Sequence, residues 1–375
     1  MGIRNNIESF DNLYKGLKDS CRNVRWKSSV VSYELHGLRN TYNLRRDLVN
    51  GKYKIQPYQH FTIHEPKRRE ITATRIRDRQ FQHSMVDNYA YGQLTKSFIH
   101  DNCACLRGHG VDYCLRRMTR HLRRYYLECG NDGYALKCDI HHFFQSIPHS
   151  AAKAAIRKRI SDDFTVERIC EIIDSFDGDN GIGLGSQVSQ LVALAVLDDL
   201  DHFIKEKLHI KYYIRYMDDF VLIHNDKDYL KYCRSEIEKQ LNSIGLELNR
   251  KTGILKLSQG VKLLQWRFVL CNSGRILKRM DKKKISKQRR KIKKLYAKEI
   301  KGEVPQGTCN QSMQSYMANA RRGDSFYVRK KVAAYYYEMS GAKYHDYVKR
   351  RNEACAARGD SPAQRNKTER QHRKG

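Results

Sequence analysis

Apolar and polar positions along the middle of the chain switch repeatedly between the twofold period of a strand and the roughly 3.6-residue period of a helix. Tyr134 to Ile140 predicts a strand. Ala151 to Arg159, Thr165 to Phe176 and Ser235 to Ser243 predict helices, and Val188 to Leu208 predicts one long helix. Tyr212 to Tyr216 and Phe220 to His224 predict two short strands around a tight turn, with strand-like runs at Leu255 to Leu257 and Leu263 to Leu270. Strands interleaved with helices predict an α+β domain in which helices pack one face of a sheet. Further on, Ile285, Ile292, Leu295 and Tyr296 recur at helical spacing and predict a helix with a thin apolar stripe.

Composition narrows the class. With 375 residues and 40% hydrophobic positions, the chain can bury a sizeable core, as one large domain or a few ordinary ones. No apolar run reaches the ~18–20 residues needed to span a bilayer. The stretch Met1 to Phe10 lacks a signal peptide's apolar run, so the expectation is a soluble, cytoplasmic protein with no membrane partner. The 11 cysteines follow no repeating spacing and read as reduced thiols; Cys103 and Cys105 form a lone CxC without a second metal-binding pair.

Charge points to the partner. Lys and Arg number 72 against 41 Asp and Glu, a net +31. Such a surface repels itself unless a polyanion covers it, and nucleic acid is the abundant one. The segment Lys278 to Lys301 carries 13 Lys/Arg and 2 acids, so its outer face, including Lys287 and Arg290, reads as phosphate-facing. Residues 358–375 have almost no apolar side chains and read as a flexible basic tail.

Against this background the acids stand out. Asp218 and Asp219 are adjacent at the tip of an apolar hairpin, and Arg215 is the only cation close by in sequence. Asp is common in turns, but the flanking Tyr, Met and Phe are poor turn residues. Clustered acids become favourable when divalent cations sit between them. Asp139 ends the strand beginning at Tyr134; if that strand lies beside the hairpin, Asp139 and Asp218 face one another. Such carboxylates can hold two Mg²⁺ ions roughly 3.5–4 Å apart. His141 and His142 read as surface or packing residues, because Mg²⁺ prefers oxygen.

Tyr216-Met217-Asp218-Asp219 resembles the YxDD box of reverse transcriptases, and Asp139 followed by Phe144 resembles their first palm motif. Further segments fall in the family's order. The run Glu65 to Ile71 and Arg77-Asp78-Arg79-Gln80 resemble the fingers motifs. Gly181 to Gln190, ending in Ser189-Gln190, is similar to the segment found in diversity-generating retroelements and their bacterial relatives. Retroviral enzymes carry Gln-Gly there instead. Lys251-Thr252 resembles the palm lysine motif, Gly260 to Trp266 the primer grip (with Gln265-Trp266 where these enzymes have Gly-Tyr), and Ala104 to Gly110 a template-side segment.

The resemblance implies a right-hand polymerase: an antiparallel palm sheet carrying the YxDD hairpin, with a helical basic thumb. Its regions would be an N-terminal helical extension (1–52), fingers (53–133), palm (134–270), thumb (271–357) and tail (358–375). It implies catalysis by Asp139, Asp218, Asp219 and Lys251, with metal held by Asp139, the Ile140 carbonyl, Asp218 and Asp219. Lys67, Arg69, Phe144, Gly185 and Gln190 would bind the deoxynucleotide triphosphate, Phe144 excluding a 2′-hydroxyl. Gly183, Ser189, Arg77, Arg79, Leu264, Trp266, Lys287 and Arg290 would contact template or primer.

The implied cofactor is a pair of Mg²⁺ ions, with Mn²⁺ as a substitute. The implied partners are a structured non-coding RNA template, an RNA–DNA duplex, dNTPs and a small basic accessory protein, in a bacterial or phage-encoded system. Two roles share these motifs, a diversity-generating retroelement and an antiphage defence enzyme using a neighbouring RNA. A non-catalytic RNA-binding or splicing-helper protein is the alternative of another class.

Overall fold

The computed structural model describes residues 2–64 and 68–341, and the tail read from the sequence lies outside them. Nine strands are present among the described residues: β1 (Gln59–Ile63), β2 (Arg69–Ala73), β3 (Tyr134–Asp139), β4 (Tyr212–Tyr216), β5 (Asp219–His224), β6 (Gly253–Lys256), β7 (Val261–Leu263), β8 (Trp266–Leu270) and β9 (Ile276–Met280). The chain divides into two units, one of Met1–Leu264 with Leu270–Ile276, the other of Gln265–Val269 with the residues from Leu277 onward.

The first unit is organised by an antiparallel sheet in the order β4-β5-β3-β6. Aromatic and β-branched residues favour these strands. Period two then sorts each strand's side chains. Leu136 and Cys138 of β3, with their register partners Leu222 and Phe220 of β5, enter the main core. Lys137 and Asp139 therefore point to the opposite face. The helix Lys227–Ser243 packs beside β3 and β5; the side chain of Asp226 caps its start by accepting from the Asp228 and Tyr229 amides. This helix starts well before the expected Ser235. A separate hairpin, β1–β2, stands on the same unit with one edge bonded to a loop: Thr72 N donates to Leu184 O at 3.2 Å.

Two expectations are corrected. The single helix over Val188–Leu208 is three pieces: Gln187–Val196, Asp198–His202 and a π-helical turn Phe203–Lys207, broken at Leu197. The break aims two buried acids at buried cations, Asp198 at Arg159 (2.9 Å) and Asp201 at Arg215 (2.5 Å). The strand-like run Leu263–Leu270 is the end of β7 and the whole of β8, separated at Leu264, which has φ +56°.

The second unit carries the basic helix Lys282–Ile300 with the helices Thr308–Ala320 and Phe326–Ser340. Its core is Ile292, Cys309, Met313, Met317 and Val332, flanked by Ile285, Leu295 and Tyr296. The apolar stripe read from the sequence is thus the packed face, and Lys287 and Arg290 are exposed. No disulfide forms among the described cysteines. Among the described residues, no helix is long and apolar enough to cross a membrane.

Candidate active site

The acids meet on the solvent-facing side of the main sheet. Asp139 at the end of β3 is the direct register partner of Asp219 at the start of β5. Tyr216 pairs with Asp219 across β4 and β5, leaving Met217 and Asp218 as a two-residue turn. Of these two, only Met217 has positive φ (+57°), a position that tight hairpin turns usually give to glycine. A non-glycine residue there costs on the order of 1–3 kcal/mol.

The counter-charge is not the one expected from the sequence. Arg215 is the register partner of Phe220, so it points into the core, away from the acids. Lys137 instead shares the face of Asp139, two residues on, and its ammonium lies against Asp219 Oδ1. Burial pushes the Lys137 ammonium down to about 8, opposed by the charges of Asp139 and Asp218. The Asp218 carboxyl is raised, first by burial and also by the neighbouring Asp139 charge, while Lys137 and Arg69 act in the other direction. Arg69, on the exposed end of β2, therefore acts electrostatically on the turn. Lys67 lies outside the described residues.

Surrounding backbone and amides orient the carboxylates. Asn249 Nδ2 donates to Asp139 Oδ2 at 3.1 Å, and its own Oδ1 accepts from the Lys251 amide at 3.1 Å. The Leu264 amide donates to Asp219 Oδ2 at 3.4 Å. Ile140 buries its side chain and its backbone bridges Leu248. Lys251 is exposed at the turn before β6. Lys137 and Asn249 were not singled out from the sequence. The signal for Lys137 was its twofold spacing from Asp139; Asn249 had none short of the fold.

The donor set consists of hard carboxylate oxygens, which suits Mg²⁺. Among the described residues, however, no three His, Cys, Asp or Glu side chains gather closely enough to hold a metal ion alone. The ladder brings Asp139 and Asp219 together, and Asp218 stands in the adjoining turn. What fits is an ion held by one or two carboxylates and completed by substrate phosphates, the usual habit of Mg²⁺. His141 and His142 are exposed beside this site.

A cavity of about 250 Å³ is lined by Tyr58, Glu70, Thr72, Phe144, Phe176 and Gly183, among others. Phe143 and Phe144 fall in a short helix, not on a strand; Phe143 is core and Phe144 is the half-buried wall. Gly183 approaches the Phe176 ring so closely that a Cβ would sit 2.4 Å from it. Gly185 has φ +130° and lies against Thr72 of β2. Ser186 caps the following helix, accepting from the Ser189 amide at 3.0 Å, so Ser189 is buried in a capping contact while Gln190 is exposed.

Arg77, expected at the template, has partners within the protein. Arg77 binds Asp47 at 3.0 Å and lies over the Tyr53 ring, and burial lowers Arg79 from its ordinary range. Leu264 sits at the Asp219 carboxylate, as described. Trp266, expected at the primer, is 1% exposed and packs against Gly323 within the second unit.

Residues 65–268, more than half of the chain, match the family described as reverse transcriptase (RNA-dependent DNA polymerase). Among solved structures, the chain is similar to apo telomerase from Candida tropicalis truncated from the C-terminal domain (14% identity, 65% of this chain and 60% of that one, TM-score 0.46). It is similar also to apo telomerase from the same organism (12%, 64% and 53%, TM-score 0.47). A third is telomerase from Candida albicans with a TWJ fragment of telomeric RNA (11%, 79% and 57%, TM-score 0.48). The chain thus spans 53–60% of those telomerase chains. No curated protein matches the chain.

Proposed function

Because the chain belongs to the reverse transcriptase (RNA-dependent DNA polymerase) family, we propose that it extends a DNA 3′ end on an RNA template at the Asp139–Asp218–Asp219 cluster. The observation that carries this is the pairing of Asp139 with Asp219 beside the Met217–Asp218 turn, inside the matched stretch. In the reaction the primer's 3′-oxygen bonds to the α-phosphorus of a dNTP, and the bond to pyrophosphate breaks. Asp139 and Asp218, with the Ile140 carbonyl, would hold two divalent ions, Asp219 assisting. These ions would lower the pKa of the hydroxyl and neutralise the departing pyrophosphate.

The chain's own residues do the rest in this reading. Asn249 and the Leu264 amide fix the carboxylates. Arg69 and Lys67 neutralise the triphosphate, and Lys251 supplies a proton to the leaving group. Phe144 walls the sugar site, with Gly183, Gly185 and Gln190 along the nascent pair. The exposed Lys287 and Arg290 grip an RNA–DNA backbone without base readout. In the right-hand description, the main sheet is the palm, β1–β2 belongs to the fingers and the basic three-helix unit is the thumb.

A primed RNA template with dNTPs and Mg²⁺ tests the reading. Extension by the wild type that falls at least 100-fold in Asp139→Asn supports it, by the scale of losing a residue essential to the reacting site. Equal extension by both leaves an RNA-binding protein. A diversity-generating role on a dedicated structured RNA and a defence role share the Ser189–Gln190 ending, and the fidelity of the copy separates them. Errors concentrated at template adenines in the cDNA agree with the first, and a faithful copy turns the assignment to defence.

A further inference from the structure

Arg215 and Asp201 are both fully buried. Two guanidinium nitrogens of Arg215 meet the two oxygens of Asp201: Nε at 2.7 Å and Nη2 at 2.5 Å. Tyr213 donates its hydroxyl to the same carboxylate at 2.6 Å. The remaining terminal nitrogen, Arg215 Nη1, donates to the carbonyl of Met217 at 3.2 Å. Met217 is the turn residue with positive φ, immediately before Asp218. A core-facing side chain thus reaches back to the one strained peptide of the acid-bearing turn.

A buried ion pair could be there for stability alone. That account is weak, since apolar side chains of similar volume often replace such pairs without loss. No apolar side chain can supply the hydrogen bond to Met217, however. The main-chain bonds of Arg215, from its N–H to Asp101 O (3.0 Å) and to its carbonyl from Cys103 N–H (2.8 Å), do not depend on its side chain. Side-chain variants therefore probe the fork itself. Asp201 pre-orients the guanidinium so that its third donor is aimed, and Asp201 sits where the break at Leu197 puts it.

We propose that Arg215 is a positioning residue: by holding the Met217 carbonyl it fixes the turn that carries Asp218, and hence the setting of Asp218 against Asp139. The inference rests on the polymerase reading above. A misplaced reacting group costs about 100-fold in rate.

The test uses the full chain and two variants, Arg215→Lys and the paired Arg215→Met/Asp201→Leu. Thermal melts establish that each is folded; Arg215→Lys keeps the buried charge paired if the double variant does not fold. In folded variants kcat is expected to fall about 100-fold while KM for dNTP stays within about threefold, the pattern of a lost transition-state setting. Separately, ¹³C-methyl methionine NMR without nucleic acid, with Met217 assigned from Met217→Leu, is expected to show the Met217 signal shifted and broadened. Wild-type kcat in a folded variant, or an unmoved Met217 signal, overturns the proposal. If the wild-type chain extends no primer, the polymerase reading fails, and the NMR readout still decides whether Arg215 holds the turn.

Discussion

Asp139 lies directly opposite Asp219 across the β3–β5 ladder, and Lys137 occupies the same face of β3 with its ammonium against Asp219. Two carboxylates and one amine therefore share one face of the ladder, with Asp218 in the adjoining turn. Lys137 is the cation that lies against Asp219. With a divalent ion, the carboxylates gain a stronger partner.

This gives a prediction for Lys137→Met. Removing the amine leaves the acids to repel one another, so the variant should melt below wild type without divalent ions. Added Mg²⁺ should raise its melting temperature more than it raises that of wild type, because binding to the folded state stabilises by mass action. Thermal melts across a Mg²⁺ titration measure this. Equal stabilisation of both proteins would refute Lys137 as the stand-in counter-charge.

The sheet and most of its strands were legible in the sequence because twofold alternation and β-rich composition mark them, and the hairpin acids stood out as an unfavourable pair in apolar surroundings. Lys137 was passed over and Arg215 misjudged for one reason. Nearness in sequence favoured Arg215, but strand pairing decides the face, and only the register reveals that Arg215 turns inward and Lys137 outward. The break at Leu197 was hidden because the partners that Asp198 and Asp201 meet, Arg159 and Arg215, lie 39 and 14 residues away in the chain. Trp266 was read by motif position; its burial depends on Gly323, a contact across 57 residues of sequence.

Phe144 supplies a second prediction. It walls a cavity and also packs against the main core, so Phe144→Ala should open the proposed sugar site at some cost in stability, and is assayed only where a thermal melt shows it folded. Competition between dNTP and NTP in primer extension measures the outcome. Ribonucleotide incorporation should rise by at least tenfold, corresponding to about 1.4 kcal/mol of lost discrimination. Unchanged selectivity assigns the exclusion elsewhere.

Asp101 gives a pH prediction. Burial alone would raise its carboxyl, but hydrogen bonds from His121 (2.7 Å) and Arg117 (2.5 Å) outweigh this and hold it at about 2. A carboxyl lowered in the folded state contributes stability above its unfolded value near 4 and loses it as pH falls towards 2. Asp101→Asn should therefore cost about 3 kcal/mol at pH 7, a gap that narrows below pH 4. Urea unfolding at both ends of that range checks it. A gap that stays constant with pH would show that the carboxylate's charge is not what matters.

The central claim is that Asp139 and the Asp218–Asp219 pair bind the same ions, and iron-directed cleavage reads this most directly. Fe²⁺ in place of Mg²⁺, with ascorbate and peroxide, produces radicals that cut only the backbone next to the bound ion. The account predicts cuts beside Asp139 and beside Met217–Asp219, suppressed by excess Mg²⁺ and lost together in Asp139→Asn. Cuts at neither place, or cuts at the hairpin that persist in Asp139→Asn, would contradict it.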